Sequence, residues 1–313
     1  GRLQKAGNMS DAEVTSPCLG HAQVSVAAAC ELGEGPGWDS ARGELRWVNI
    51  LAGELHQANA DGSQHRVTPL ARKTSYAALT TAGDYLLVAE NQLSRFNPKS
   101  GELSDFLPFE ADNSITRSND ARVDTHGSLW LSTMGLAAEQ GAGSLYRLHH
   151  GKLTRLLSGL SIPNALCFSA DGKYAYFTDT ATGQIMRWTL DADGWPRKVD
   201  GDDATPTRWA DLRDAGGNPD GAVIDSEGCM WVALWGAGRV IRLDPNGREI
   251  GHVALPASQP SCPLFGGYAL GTLYITTARE GLDSPGKADG RLYAIDLSAQ
   301  GIYGVEEPQL TLN

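Results

Sequence analysis

Hydrophobic and polar positions along this chain alternate between short apolar runs and turn chemistry. Six runs stand out: LRWVNI from Leu45, YLLVAE from Tyr85, LWLSTM from Leu129, AYFTDT from Ala175, MWVALW from Met230 and LYITTA from Leu273. Their starts differ by 40, 44, 46, 55 and 43 residues. Each run is too short for a typical helix and is rich in the β-branched and aromatic residues that fit a pleated surface. A turn signal precedes each, ending at or around Gly43, Gly83, Gly127, Gly172, Gly228 and Gly271. Glycine takes positive φ without a Cβ penalty, and Asp or Ser caps its own turn, so these read as hairpin turns. A third apolar run follows each, from Leu55, Leu93, Leu145, Ile185, Val240 and Leu292.

The unit is therefore strand, turn, strand, loop, strand, with room for a fourth strand. A period of this size, repeated six times, predicts an all-β, six-bladed β-propeller with four-stranded antiparallel blades. No helical stripe of ten or more residues separates the runs, which disfavours a doubly wound sheet. The repeated signature of WD40 blades is missing. Residues 22–30, AQVSVAAAC, read as a strand that completes the last blade beside the segment around Gln309–Leu312. Residues 1–8 precede Met9 and read as an added leader, leaving 9–313 as a single domain.

Composition adds limits. The 313 residues carry a net charge of −11, with no basic stripe, which argues against nucleic acid as a partner. No apolar run approaches the ~20 residues needed to cross a bilayer, so no membrane partner is expected. The five cysteines lack CxxC spacing and read as small buried apolar residues. Their odd number, without a recognisable signal peptide, predicts a cytoplasmic protein. The seven histidines show no metal-ligand spacing and read as surface or structural. Oligomeric state is not legible.

The repeat also aligns polar residues. Ten or eleven residues before each second strand stand Glu34, Ser75, Asn119, Asn164, Asp220 and Pro263. In a propeller the first strand of each blade lines the channel, so equivalent positions form a ring about the axis. Four of the six offer oxygen ligands, two carboxylates and two amides. Oxygen ligands suit a hard divalent cation, Ca²⁺, Mg²⁺ or Mn²⁺, with Zn²⁺ also open. Few protein ligands would leave coordination positions for water and substrate, as a catalytic site needs. Arg117, two residues before Asn119, would face a substrate oxygen or pair with a carboxylate.

Four segments then carry a family likeness: GEGPGW at 33–38, RSNDARVDTHGSLWLSTM at 117–134, IPNALCFSADG at 162–172 and NPDGAVIDSEGCMWVALWG at 218–236. They closely resemble the gluconolactonase/regucalcin family, also called the senescence marker protein family. CPLFGGYALGTLYITTAREGL at 262–282 resembles its bacterial sugar-lactonase members. The resemblance spans residues 22–297, nearly the whole chain. It implies a six-bladed propeller that hydrolyses sugar lactones with one divalent metal, Ca²⁺ or Zn²⁺ first among the candidates. By that resemblance Glu34, Asn164 and Asp220 are metal ligands, Asp220 is also the acid/base, and Arg117 and Asn119 bind substrate. A further acidic substrate contact of some members falls where this chain has Gly135 and Leu136, which leaves the sugar open.

The expected reaction is opening of an aldonolactone, the metal polarising the carbonyl and Asp220 moving the proton. Two rival readings are a phosphotriesterase-like hydrolase on the same scaffold and a non-enzymatic calcium-binding propeller. The loops at 136–143 and 282–290 are expected at the channel mouth, with Trp235 and Tyr268 near it, and Ser75 and Pro263 mark blades past which the sugar would approach.

Overall fold

The computed structural model describes residues 14, 16–198, 200–201 and 204–313; the stretch read as a leader lies outside them. Each apolar run forms the second strand of a blade. Blade 1 runs Gly33–Asp39, Glu44–Asn49, Glu54–Asn59, Arg66–Pro69. Blade 2 runs Thr74–Leu79, Tyr85–Ala89, Gln92–Phe96, Leu103–Pro108, and blade 3 Thr116–Val123, Leu129–Gly135, Gly143–His149, Lys152–Leu160. Blade 4 runs Pro163–Phe168, Tyr174–Asp179, Gln184–Thr189, Thr207–Asp211. Blade 5 runs Asn218–Ile224, Met230–Trp235, Arg239–Leu243, Glu249–Ala254, and blade 6 begins Pro260–Gly266, Thr272–Thr277, Leu292–Asp296. The six-bladed architecture expected from the repeat is present.

The ring closes through the N-terminal region. Gln23–Val26 pairs antiparallel with Leu292–Asp296 as the fourth strand of blade 6, and Cys18–His21 adds a fifth, parallel strand to blade 5. The C-terminal segment does not join them, contrary to the expectation. Leu310 bridges Thr80 of blade 2, because the chain after blade 6 crosses the end of the channel. There Glu307 accepts from Arg46 Nη2 (2.9 Å), the backbone N–H of Trp38 (3.1 Å) and Tyr76 Oη (2.5 Å). This carboxylate ties the C-terminal segment to blades 1 and 2.

The core consists of six apolar layers, one between each pair of neighbouring blades. Leu129 and Leu131 face blade 2, whereas Trp130 between them faces blade 4. The period-2 pleat sends alternate side chains to opposite neighbours, and both faces are dry. That is why the second strands read as continuous apolar runs and not as alternating ones.

The turn chemistry has a further use in blades 3 and 5. Asp124 accepts the N–H groups of His126 (2.9 Å) and Ser128 (3.0 Å) on one oxygen, and Trp130 Nε1 (2.9 Å) and Arg147 Nε (3.0 Å) on the other. Asp225 repeats this with Glu227, Cys229, Trp231 and Arg242 at 2.9–3.0 Å. Gly127 and Gly228 supply the positive φ these turns require. Gly271 departs from the expectation: its φ is −92°, and the positive φ values of that hairpin fall on Gly267, Ala269 and Leu270. Cys18 is exposed, while the other four cysteines are buried.

Candidate active site

Near the start of every inner strand the pairing with the second strand slips, between Glu34 and Gly37, Thr74 and Tyr76, Ser118 and Ala121, Asn164 and Cys167, Pro219 and Ala222, and Pro260 and Cys262. Such bulges bend a strand and re-aim its side chains. Glu34 and Asn164 open their bulges, opposite Val48 and Thr178. Asn119 and Asp220 come one residue later, after Ser118 and Pro219, which pair with Thr133 and Leu234. The expected single register is thus two staggered positions.

Backbone conformation follows the same pairs. Gly35 and Ala165, the residues after Glu34 and Asn164, have φ of 55° and 58°. A Cβ on Gly35 would lie 2.6 Å from the Ser75 carbonyl oxygen, so glycine is required there. Ala165 holds the same conformation at a cost of about 1–2 kcal/mol.

Glu34, Arg117, Asn119, Asn164 and Asp220 are 1–4 % exposed, so their charges and dipoles act with little water between them. Arg117 Nη1 donates to the Ser118 carbonyl oxygen (2.7 Å) and reaches Asn119 Oδ1 at 3.4 Å. Asn119 Nδ2 donates to the Pro163 carbonyl oxygen (2.8 Å) and lies 3.4 Å from Asn164 Oδ1. Asn164 Nδ2 donates to Thr180 Oγ1 (2.9 Å). The amide is thereby oriented with its nitrogen on Thr180 and its oxygen toward Asn119 Nδ2. One chain of contacts links the predicted substrate residues to a predicted ligand.

Burial, and then the neighbouring Asp220 charge, hold the Glu34 carboxyl well above the ordinary carboxylate range. Burial raises Asp220 in the same direction. Glu34 Oε2 accepts the Gly35 N–H (3.0 Å), whereas Oε1 is buried with no hydrogen-bond partner among the described residues. Two buried carboxylates in mutual contact are costly unless a proton or a cation lies with them. The donor set of two carboxylates and an amide oxygen fits a hard divalent cation.

Several contributors were not anticipated. Asp120 accepts the Leu166 N–H (2.8 Å), and burial pushes its carboxyl up to about 6. Thr180 orients Asn164. Gln259 and Glu280 come from blade 6. The signals were present, since Asp120 lies in RSNDAR and Glu280 in TAREGL, but neither falls on the repeat register.

An open cleft of about 1340 Å³ is lined from blades 3 to 6 by Ala138, Ile162, Asn218, Trp235, Gln259 and Glu280 among others; Ile162 and Asn218 stand two residues before Asn164 and Asp220, and the five buried residues lie behind this lining. Both loops expected at the mouth contribute, through Ala137 and Gln140 and through Leu282 and Asp283. Trp235 lines it while 3 % exposed and packed in the core. Tyr268 does not: it is 96 % exposed beside Ser40 and Gly43, at the opposite rim. Ser75 donates to Ser118 Oγ (2.8 Å) inside the wall, and Pro263 is buried in its strand. The cleft opens over blades 3 to 6, so it takes in the blade of Pro263 and not that of Ser75. Glu139, the carboxylate nearest Gly135, turns back to accept the Ala137 N–H (2.9 Å).

A family model described as SMP-30/Gluconolactonase/LRE-like region matches residues 32–279. The chain belongs to this family. It is 35 % identical over 288 residues to the 6-deoxy-6-sulfogluconolactonase of Pseudomonas putida, covering 88 % of this chain and 94 % of that one. It is 35 % identical over 275 residues to the L-arabinolactonase of Azospirillum brasilense, covering 86 % and 88 %. The crystal structure of a calcium-binding protein, regucalcin, from Agrobacterium tumefaciens superposes with a TM-score of 0.88 at 34 % identity, covering 96 % of this chain and all of that one. No helix among the described residues is long and apolar enough to cross a membrane.

Proposed function

We propose that this family member is a sugar lactonase that hydrolyses an aldonolactone to its aldonic acid, with a divalent cation held by Glu34, Asn164 and Asp220. The observation that carries the reading is the meeting of two buried carboxylates and an oriented amide at the inner-strand bulges, beside a broad cleft. Relatives named as lactonases supply the reaction class.

When bound, the cation supplies Lewis-acid polarisation of the lactone carbonyl. The chain's own groups account for the rest. Asp220 takes a proton from the attacking water and returns it to the departing ring oxygen; burial makes its carboxylate a stronger base than an exposed one. Arg117 and Asn119, fixed to each other and to blade 4, hold the hydroxyls or the developing carboxylate in the attack geometry.

The test is lactone opening, followed with a pH indicator, by wild type supplied in turn with Ca²⁺, Zn²⁺, Mg²⁺ and Mn²⁺, by chelated protein and by Asp220→Ala. Loss in the last two supports the reading. Near-wild-type rates in either sink it, and metal binding without turnover on any lactone favours a calcium-binding propeller instead.

A further inference from the structure

Glu280 follows the second strand of blade 6, which ends at Thr277. Its backbone is held at both ends: its N–H donates to the Glu31 carbonyl oxygen (2.9 Å), and its own carbonyl accepts from Gln259 Nε2 (2.9 Å). Gln259 is 4 % exposed and also donates to the Ala278 carbonyl oxygen (3.1 Å). The backbone that carries this carboxylate is therefore fixed beside the cleft. The residue lines that cleft while only 9 % exposed.

The surrounding charge gives it a role. The described lining carries three carboxylates, Asp179, Glu280 and Asp283, and no lysine, arginine or histidine. Asp179 is engaged in its own wall, accepting the N–H groups of Ser161 and Ile162 at 3.0 Å each. Asp283 is exposed at the rim. Glu280 is the buried carboxylate of the wall, and its charge, with those of Glu34 and Asp220, favours the Arg117 guanidinium. Arg117 offers donors only, and a carboxylate offers acceptors only. Such a pair can hold a polyhydroxy ligand from both sides, the carboxylate accepting its hydroxyl hydrogens and the guanidinium donating to its oxygens. An anionic side chain in the same cleft would meet like charge with little screening.

We propose that Glu280 is a specificity-determining residue that contacts substrate: with Arg117 it holds the hydroxyls of an uncharged polyhydroxy lactone, and it excludes lactones bearing a phosphate or sulfonate. This rests on the lactonase reading.

The test compares wild type, Glu280→Gln and Glu280→Asp on glucono-1,5-lactone and on 6-phosphogluconolactone, with Ca²⁺ affinity measured by calorimetry. Glu280→Gln raises KM for the neutral lactone about fivefold or more, while kcat and Ca²⁺ affinity hold within about threefold. It lowers KM for the phosphorylated lactone by about fivefold. Glu280→Asp, which keeps the charge, retains the preference for the neutral substrate and serves if the glutamine variant does not fold. An equal shift for both lactones overturns the inference, as does loss of kcat together with Ca²⁺ affinity, which would make Glu280 part of the metal site. Wild type that opens no neutral lactone with any of the four cations overturns the lactonase reading and this inference together. Opening by wild type with unchanged discrimination in Glu280→Gln overturns the inference alone.

Discussion

Asn119 Nδ2 donates to the carbonyl oxygen of Pro163 at 2.8 Å, tying the inner strand of blade 3 to that of blade 4 beside the candidate metal ligand Asn164. Asn119 is thus a brace between blades as well as a substrate residue.

Asn119→Ala removes that brace and leaves the buried Pro163 carbonyl without its donor. The expected cost is about 1–3 kcal/mol of stability, with a raised KM because Arg117 loses a neighbour that helps fix it. Denaturant unfolding and steady-state kinetics on one lactone check both. Loss of stability with an unchanged KM would leave Asn119 a brace only.

Proton linkage at Glu34 and Asp220 has a definite sign. Both carboxyls are raised on folding, so the metal-free native state keeps protons that the unfolded chain has released. Their contribution is fully present below the ordinary carboxylate range and is lost as pH rises through the raised values. Metal uptake needs the charged forms, so it releases protons and tightens with pH over the same window. Melting in chelator between pH 4 and pH 8, pH values chosen to bracket roughly that window, is expected to show this loss, with a flatter slope in Glu34→Gln. Added Ca²⁺ is expected to restore most at the upper end.

Glu307→Ala strands Arg46, which is 1 % exposed, without its carboxylate. Breaking one side of a buried ion pair costs about 3–5 kcal/mol. Activity per folded molecule is expected to persist, because Glu307 is not among the residues that line the cleft. Tm and kcat measured on the same preparation separate the two effects.

The twin turn locks differ in their fallback partners. Asp124→Ala leaves Arg147 fully buried, whereas Asp225→Ala leaves Arg242 at 11 % side-chain exposure with Glu227 still 3.3 Å away. Asp124→Ala is therefore expected to be the more destabilising by about 1–2 kcal/mol. Matched chemical denaturation curves decide the order; the reverse order would mean that Arg147 is satisfied by its bond to the Asp193 carbonyl oxygen.

By itself the sequence determined the elements and their number. Second strands buried on both faces must be continuously apolar, and hairpin turns must carry Gly, Asp or Asn, so the six-fold repeat was legible in local chemistry. Counting within the repeat also found Glu34, Asn119, Asn164 and Asp220, because a repeat fixes which end of each inner strand shares a face. Only the tertiary structure decided the rest. The stagger of those residues depends on bulges, which are relations between strands and leave no period in one strand. Ring closure by Gln23–Val26, and not by the C-terminal segment, depends on which of two short segments lies beside Leu292–Asp296 in space. Glu280 lies off the repeat register altogether, and its place in the cleft is set by Gln259 and Glu31, which hold it through contacts distant in sequence.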